Sequence, residues 1–206
     1  MRRLLLALPA SAALVAATAS YGTGPVSAPL SGDWALETAQ SRLSFVTIKA
    51  GQIVEAHRFE TLSGAVAADG KATFAIDLAS VNTGIEVRDQ RMRDFLFQIP
   101  QFPKATVTTQ IDPTAVSGLE IGEQLILPVE ASVNLHGLDA PVEAELAVTR
   151  IAADKVKVET TAPIIVDADS FALGDGIAKL QELAKLPSIT NEVPVSFSLV
   201  FEHTAP

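Results

Sequence analysis

Three histidines and one cluster of mixed charge are the side chains of this sequence best suited to acid-base or metal chemistry. His57, His136 and His203 are far apart, and none forms an i, i+4 pair or precedes a glutamate as in a metalloprotease helix. We therefore expect surface or turn histidines and no metal site. The sequence contains no cysteine, which excludes thiol catalysis and thiolate metal ligands.

Sequence patterns that bind phosphate or activate a nucleophile are also missing. Gly174-Asp175-Gly176 lacks the Lys-Ser/Thr ending of a phosphate-binding loop, so we expect a turn and a helix cap there. The chain has no Gly-x-Ser-x-Gly elbow. Because no catalytic arrangement is recognisable, we predict a protein that is not an enzyme and that uses no cofactor.

The charged cluster lies on a predicted helix between about residues 85 and 99 and consists of Arg88, Asp89, Arg91, Arg93 and Asp94. Pairs at i, i+3 spacing, such as Arg91 with Asp94, normally form a solvated helix face. Arg88 lies on the otherwise apolar stripe of this helix. The alternative for Arg88 is that it points toward the mouth of a barrel and meets a polar headgroup.

Alternation of apolar and polar residues predicts that most of the chain is antiparallel β-structure. The clearest strand covers 193–201. One hairpin is predicted from 62–67 and 72–78 around Asp69-Gly70, and a longer one from 125–135 and 142–148 around a His136-Gly137-Leu138-Asp139 turn. Further strands are expected at 43–49, 53–59, 105–111 and 156–166, which gives about eight strands.

Two segments have helical rather than alternating spacing of apolar residues and are expected to cover the sheet. One is the segment 85–99, and the other is 177–186, with Asp175 as a possible N-cap and Pro187 at its end. Strands with one apolar face each fit either a closed barrel or a two-sheet sandwich, and periodicity does not choose between them. A barrel of about eight strands can enclose one small ligand.

The amino-acid composition indicates what kind of core the protein has and which binding partners it disfavours. Hydrophobic residues make up 48% of the chain and aromatic residues 5%, so the core is mainly aliphatic. The formal net charge of −9 opposes binding to nucleic acid.

The N-terminus is typical of an export signal. Arg2 and Arg3 precede the apolar run 4–17, and Ala17-Thr18-Ala19 is an A-x-A cleavage site. We expect residues 1–19 to be a signal peptide, residues 20–32 a flexible leader and residues 33–203 a single domain in the periplasm. Cleavage would remove both arginines and change the formal net charge from −9 to −11.

An ordered series of short motifs resembles the YceI-like polyisoprenoid-binding family over roughly Trp34 to Glu202. The central motifs are Ser80-Val81-Asn82-Thr83-Gly84, Arg88-Asp89 and Phe102-Pro103-Lys104-Ala105. Flanking motifs are Trp34, Ser41-Arg42-Leu43-Ser44-Phe45, His57-Arg58-Phe59, Gly64, Leu135-His136-Gly137, Pro141-Val142 and Val193-Pro194-Val195. The sequence departs from the family pattern at Arg91, where a histidine is common, and at Val166-Asp167-Ala168-Asp169-Ser170-Phe171, where Arg-Ser-Asp-Phe-Gly is usual.

The resemblance implies an extended, eight-stranded, lipocalin-like antiparallel barrel in the periplasm, with a long isoprenoid chain inside and no established reaction. The expected ligand is a polyisoprenoid such as an isoprenoid quinone. If the apolar faces point inward, the residues in contact with the tail are Phe74, Ile76, Leu78, Val133, Leu135, Phe197 and Leu199. Met92, Phe95 and Leu96 would cover one end of the barrel, and Arg88 would meet the headgroup.

Three alternatives remain open at this point. The same apolar residues could fill the core and leave no cavity. The protein could be an enzyme acting on an isoprenoid or small amphiphile, with Arg88, Asp89 and His136 brought together in space, or a β-sandwich without a pocket that serves adhesion or assembly. Ligand loading could involve transient contact with a membrane or a membrane protein, and the sequence leaves homodimer formation open.

Overall fold

The first strand pairs on both of its edges, and this pairing closes the sheet into a barrel. The computed structural model describes residues 29–204, so the predicted signal peptide and residues 20–28 of the predicted leader lie outside it. Strand β1 (Trp34–Leu36) pairs with β4 (Leu62–Val66) on one side and with β12 (Glu192–His203) on the other. All pairings are antiparallel, which confirms the predicted fold class.

The barrel has eight strands, four of which are each broken into two segments. β1 and β2 run one after the other along one edge of β12, while β10 and β11 run along its other edge. In the same way β3 and β4 follow each other, as do β5 and β6. The remaining bounds are β2 Arg42–Lys49, β3 Ile53–Phe59, β5 Lys71–Asp77, β6 Val81–Asn82, β7 Lys104–Gln110, β8 Gln124–Leu135, β9 Leu138–Ala152, β10 Lys155–Thr160 and β11 Ile164–Asp167.

Helices follow the strands at both ends of the barrel. α1 (Glu86–Arg91) continues into a π-helical turn, Met92–Leu96, and α3 (Gly174–Ala184) lies at the same end, close to that turn. Both helices were expected there. The short helix α2 (Pro113–Ser117) at the opposite end was not predicted. No helix in the described part of the chain is long and apolar enough to cross a bilayer.

Local details of three predicted turns and caps differ from expectation. Asp175 lies in the first turn of α3 and Leu173 holds the N-cap position instead. At the Asp69-Gly70 turn only the glycine has a positive φ, of 86°. The longer hairpin turns on two residues, His136 and Gly137, which both have positive φ, because such two-residue turns match the twist of the flanking strands.

The end of the barrel that carries α2 is held together by a small apolar cluster and one buried arginine. Leu30, Leu119, Val148 and Val156 pack together there. The Arg150 side chain is 2% exposed and donates to the carbonyl oxygens of Leu119 (3.0 Å) and Ala153 (2.9 Å), among other backbone partners. A buried guanidinium needs such partners to offset its lost hydration.

Close packing of α3 on the π-helical turn gives the first prediction. A Cβ added at Gly176 would lie 2.7 Å from the Phe95 carbonyl oxygen and 2.9 Å from the Leu96 Cα. Gly176→Ala should therefore lower the free energy of unfolding by roughly 1–3 kcal/mol, although alanine is intrinsically the better helix former. Urea denaturation measures the change.

The control is Gly118→Ala, because no atom lies within 4 Å of a Cβ built at Gly118. We expect little change in stability for that variant. A Gly176→Ala protein as stable as the wild type would show that the two helices do not need this close contact.

Candidate ligand-binding cavity

The barrel interior contains a cavity of about 650 Å³. Its lining extends from Leu30 and Pro113 at one end to Lys49, Arg88 and Ala184 at the other. The volume lies within the usual range of small-molecule sites, about 300–1,000 Å³. The side chains therefore do not meet at the centre of the barrel.

Inward-facing residues of the strands form an almost entirely apolar wall. In β8 these residues are Leu127, Val129, Ala131, Val133 and Leu135, and in β9 they are Val142, Ala144, Leu146 and Val148. Alanines also face the cavity from other strands, at positions 72 and 105. A leucine at such positions would fill the space that the alanine leaves empty.

Ten of the eleven predicted site residues line this cavity. They are Phe74, Ile76, Leu78, Arg88, Met92, Leu96, Val133, Leu135, Phe197 and Leu199. Contact of these residues with a ligand stays a prediction.

Phe95 lies instead on the outer side of its helix, where it is 41% exposed. The reason is the π-helical turn, in which the Phe97 amide donates to the Met92 carbonyl oxygen at 2.9 Å, five residues back. The wider turn shifts the helical spacing on which the prediction relied. As a result Phe97 is buried and lines the cavity in place of Phe95.

Polar side chains gather at the end of the cavity where the β2–β3 hairpin meets α1. Thr47 and Lys49 come from β2, His57 from β3 and Arg88 from α1, and all four line the cavity. Glu55, in β3, accepts hydrogen bonds from Arg88 Nη1 at 2.8 Å and from Lys49 Nζ. This carboxylate thus fixes both cations at the wall.

The Arg88 side chain is further held by Thr83. Its Nε donates to Thr83 Oγ1 and its Nη2 to the Thr83 carbonyl oxygen, both at 2.7 Å. Asp89, which is 4% exposed, accepts from the Thr83 backbone amide at 2.9 Å and from the Thr83 hydroxyl. These contacts join Thr83 of the 80–84 motif to both residues of the Arg88-Asp89 pair.

The expected solvated pair of Arg91 and Asp94 does not form. Arg91 lines the cavity, and its Nη1 lies 3.5 Å from the Leu183 carbonyl oxygen. Asp94 accepts from Gln90 Nε2 at 2.8 Å. Arg88 also lines the cavity and donates to Glu55, so it does not belong to a solvated helix face, and its contact with a headgroup at the barrel mouth stays a prediction.

His57 is buried, which corrects the expectation of a surface or turn histidine. His57 is 6% exposed, and its ring atom Nε2 lies 3.0 Å from Thr47 Oγ1. Its Nδ1 is buried and has no hydrogen-bond partner. Burial above all, and then the positive charges of Arg88 and Lys49, lower the pKa of His57 to about 4. The alternation of Glu55, His57 and Phe59 in β3 was the sequence signal for an inward position.

His136 lies in a turn, as expected, and its partners differ from those of Arg88 and Asp89. Its Nδ1 lies 3.2 Å from the Phe171 carbonyl oxygen, and its ring centre is 4.3 Å from that of Phe102. The structure therefore does not assemble the Arg88, Asp89 and His136 site of the enzyme alternative. Among residues 29–204 no group of three acidic or histidine side chains could hold a metal ion.

The lowered pKa of His57 predicts a pH-dependent stability. Because the unfolded chain binds a proton near pH 6.5 and the folded chain only near pH 4, the unfolded state binds more protons between these values. The contribution of His57 is complete above pH 6.5 and is lost as the pH falls to 4, by about 3 kcal/mol in total. Urea denaturation at pH 7.5 and pH 4.5 measures it.

Between pH 7.5 and pH 4.5 the His57→Gln variant should lose less stability than the wild type. The difference should be most of the about 3 kcal/mol that His57 contributes. His203→Gln, at a histidine outside the cavity lining, serves as the control and should keep the wild-type pH dependence. An equal loss in His57→Gln and the wild type would contradict a neutral, buried imidazole.

Comparison with known proteins places the chain in a known group. A family model described as the YceI-like domain matches residues 34–201. No curated protein sequence matches the chain. A solved polyisoprenoid-binding domain from Saccharophagus degradans, implicated in plant cell wall breakdown, has a TM-score of 0.81 and 40% sequence identity, over 83% of this chain and 98% of that one.

Two more distant structures share the fold. BcnA from Burkholderia cenocepacia has a TM-score of 0.62 and 20% identity, over 80% of this chain and 98% of that one. The YceI protein from Campylobacter jejuni has a TM-score of 0.54 and 14% identity, over 72% of this chain and 85% of that one. At these identities the likeness shows the fold alone.

Proposed function

This chain belongs to the YceI-like domain family, and we propose on this basis that it binds a polyisoprenoid amphiphile, such as an isoprenoid quinone, and carries it in the barrel interior. The observation that supports the proposal most is the apolar cavity of about 650 Å³. The similar domain from Saccharophagus degradans is itself described as polyisoprenoid-binding. The tail would lie along the apolar wall, with the headgroup at the polar end near Arg88.

Burial of hydrocarbon is sufficient to drive such binding. Each buried methylene contributes about 0.8 kcal/mol, so a five-carbon isoprene unit contributes roughly 4 kcal/mol. A long tail would by this measure exceed the practical ceiling of about 18 to 21 kcal/mol for non-covalent affinity. Ordering a flexible tail must therefore offset a large share of the gain.

The polar end of the cavity favours binding over catalysis. Lys49 and Arg88 are paired with Glu55, and Asp89 accepts from Thr83, so each of these charged side chains is held by a partner within the protein. A histidine with a pKa of about 4 is a weak general base at neutral pH. We therefore propose a carrier rather than an enzyme that acts on the isoprenoid.

Export to the periplasm is part of the proposal and rests on the basic start, the apolar run and the Ala17-Thr18-Ala19 site. Expression of the full chain in a Gram-negative bacterium should place it in the periplasmic fraction. Intact-mass measurement should then give a mature chain that begins at Ser20. An uncleaved chain in the cytoplasmic fraction would contradict this assignment.

Blocking the cavity should remove the lipid without unfolding the protein. Ala144 faces the cavity from β9, so Ala144→Trp should lower the amount of co-purified isoprenoid several-fold, because the indole occupies the space of the tail. Organic extraction of the purified protein followed by mass spectrometry measures the lipid per chain. Circular dichroism checks that the β-structure is retained.

Ala147→Trp is the matched control, since Ala147 lies on the same strand but outside the cavity lining. That variant should retain the wild-type lipid content. A wild-type protein that yields no amphiphile after extraction, and takes none up from isoprenoid micelles, would overturn the proposed function.

A further inference from the structure

We propose that the end of the barrel that carries α2 is closed to hydrocarbon and sets an upper limit to the length of the isoprenoid tail. Leu30 and Val148 are the residues that fix this limit. The inference rests on the proposed function, in which the headgroup lies near Arg88 and the tail extends toward the opposite end of the cavity. It specifies the ligand by the number of its isoprene units.

Burial of the inward side chains of β9 shows where the cavity ends. Val142, Ala144 and Leu146 face the cavity and are only partly buried. Because these side chains point inward, their accessible surface lies on the open space of the barrel. The next inward residue, Val148, still lines the cavity but is 5% exposed. The open space along β9 therefore ends between Leu146 and Val148.

The level beyond Val148 is filled across three neighbouring strands. Arg150 follows Val148 on the same face of β9 and lies opposite Val156 of β10. Val156 in turn lies opposite Phe201 of β12. Arg150, Val156 and Phe201 are all buried. A complete level of packed side chains thus crosses this part of the ring.

Hydrogen bonds of Arg150 prevent a hydrocarbon from passing this level. Its guanidinium donates to the carbonyl oxygens of Leu119 and Ala153, and displacing it would leave a buried charge without these partners. Leu30 is buried beside it, and the Leu30 amide donates to the Ser117 carbonyl oxygen of α2 at 3.0 Å. We call this closed end of the cavity, formed by Leu30, Val148, Arg150 and Val156, the floor.

A floor makes affinity depend on tail length in a specific way. Each isoprene unit that fits between the polar end and the floor adds buried hydrocarbon and strengthens binding. The first unit too many must remain in water at the polar end or force the tail to fold back into space that is already occupied. Affinity should therefore rise to a limiting tail length and then fall, whereas a barrel open at this end would admit longer tails without loss.

The test measures which tail lengths the purified full protein retains. After removal of endogenous lipid, the protein is incubated with an equimolar mixture of prenols whose tails increase in steps of one isoprene unit. Unbound prenol is removed, and organic extraction with mass spectrometry measures the amount of each prenol per chain. We expect retention to rise up to a limiting length and to fall roughly ten-fold for the next longer tail.

Two variants move the end of the cavity in opposite directions. Leu30→Ala combined with Val148→Ala removes about five carbons next to the cavity, as many as one isoprene unit contains, so the limiting length should increase by one unit. Leu146→Trp adds about six non-hydrogen atoms just inside the floor and should shorten the limiting length by one unit. Circular dichroism checks the fold, and either variant alone is sufficient for the test.

The control is Leu138→Ala combined with Val54→Ala, which removes the same number of carbons from exposed side chains outside the cavity lining. It should keep the wild-type limit. Equal retention of all lengths, or one limiting length shared by the wild type and the folded floor variants, overturns the length limit while the tail-binding function stands. If the wild type retains no prenol of any length, the proposed function fails as well.

Discussion

Closure of the sheet is the constraint on which the cavity depends. Because β1 pairs with both β4 and β12, the strands form a ring whose circumference is set by backbone hydrogen bonds and not by the side chains inside. The wall cannot collapse onto small inward residues without breaking those bonds. Alanines on the inner face, such as Ala131 and Ala144, therefore leave space that would be lost in an open sheet packed against another layer.

The polar end of the cavity connects the ring to the helices that cover it. Glu55 belongs to the β2–β3 hairpin and Arg88 to α1, and their ion pair is partly shielded from solvent. Thr83 and Asp89 tie the start of α1 to the same place. The groups that would meet a headgroup are thus the same groups that position α1, so ligand chemistry and the placement of the cover are linked at one site.

Much of the barrel could be predicted from the sequence because period-two alternation reports directly which side chains face inward. Phe74 and Val133 were placed on the inner face for this reason, and both line the cavity. Whether inward residues fill the interior could not be predicted, since it depends on the circumference of the ring. Phe95 was misplaced because a π-helical turn changes the spacing of side chains, and no simple residue pattern indicates such a turn.

The buried position of His57 was within reach of the sequence, but its environment was not. Alternation in β3 puts it on the same face as Phe59, whereas the neighbouring cation Arg88 comes from α1, which is distant in the chain.

Pairing of β1 with β12 also has a consequence for the order of events during biosynthesis. Trp34 lies opposite His203, so the two strands that seal the ring are separated by nearly the whole domain. Neighbouring hairpins can form as soon as their residues have been synthesised. The pairing of β1 with β12 forms last, because it requires the C-terminal strand. An enclosed compartment therefore exists only after β12 has been synthesised and has paired with β1.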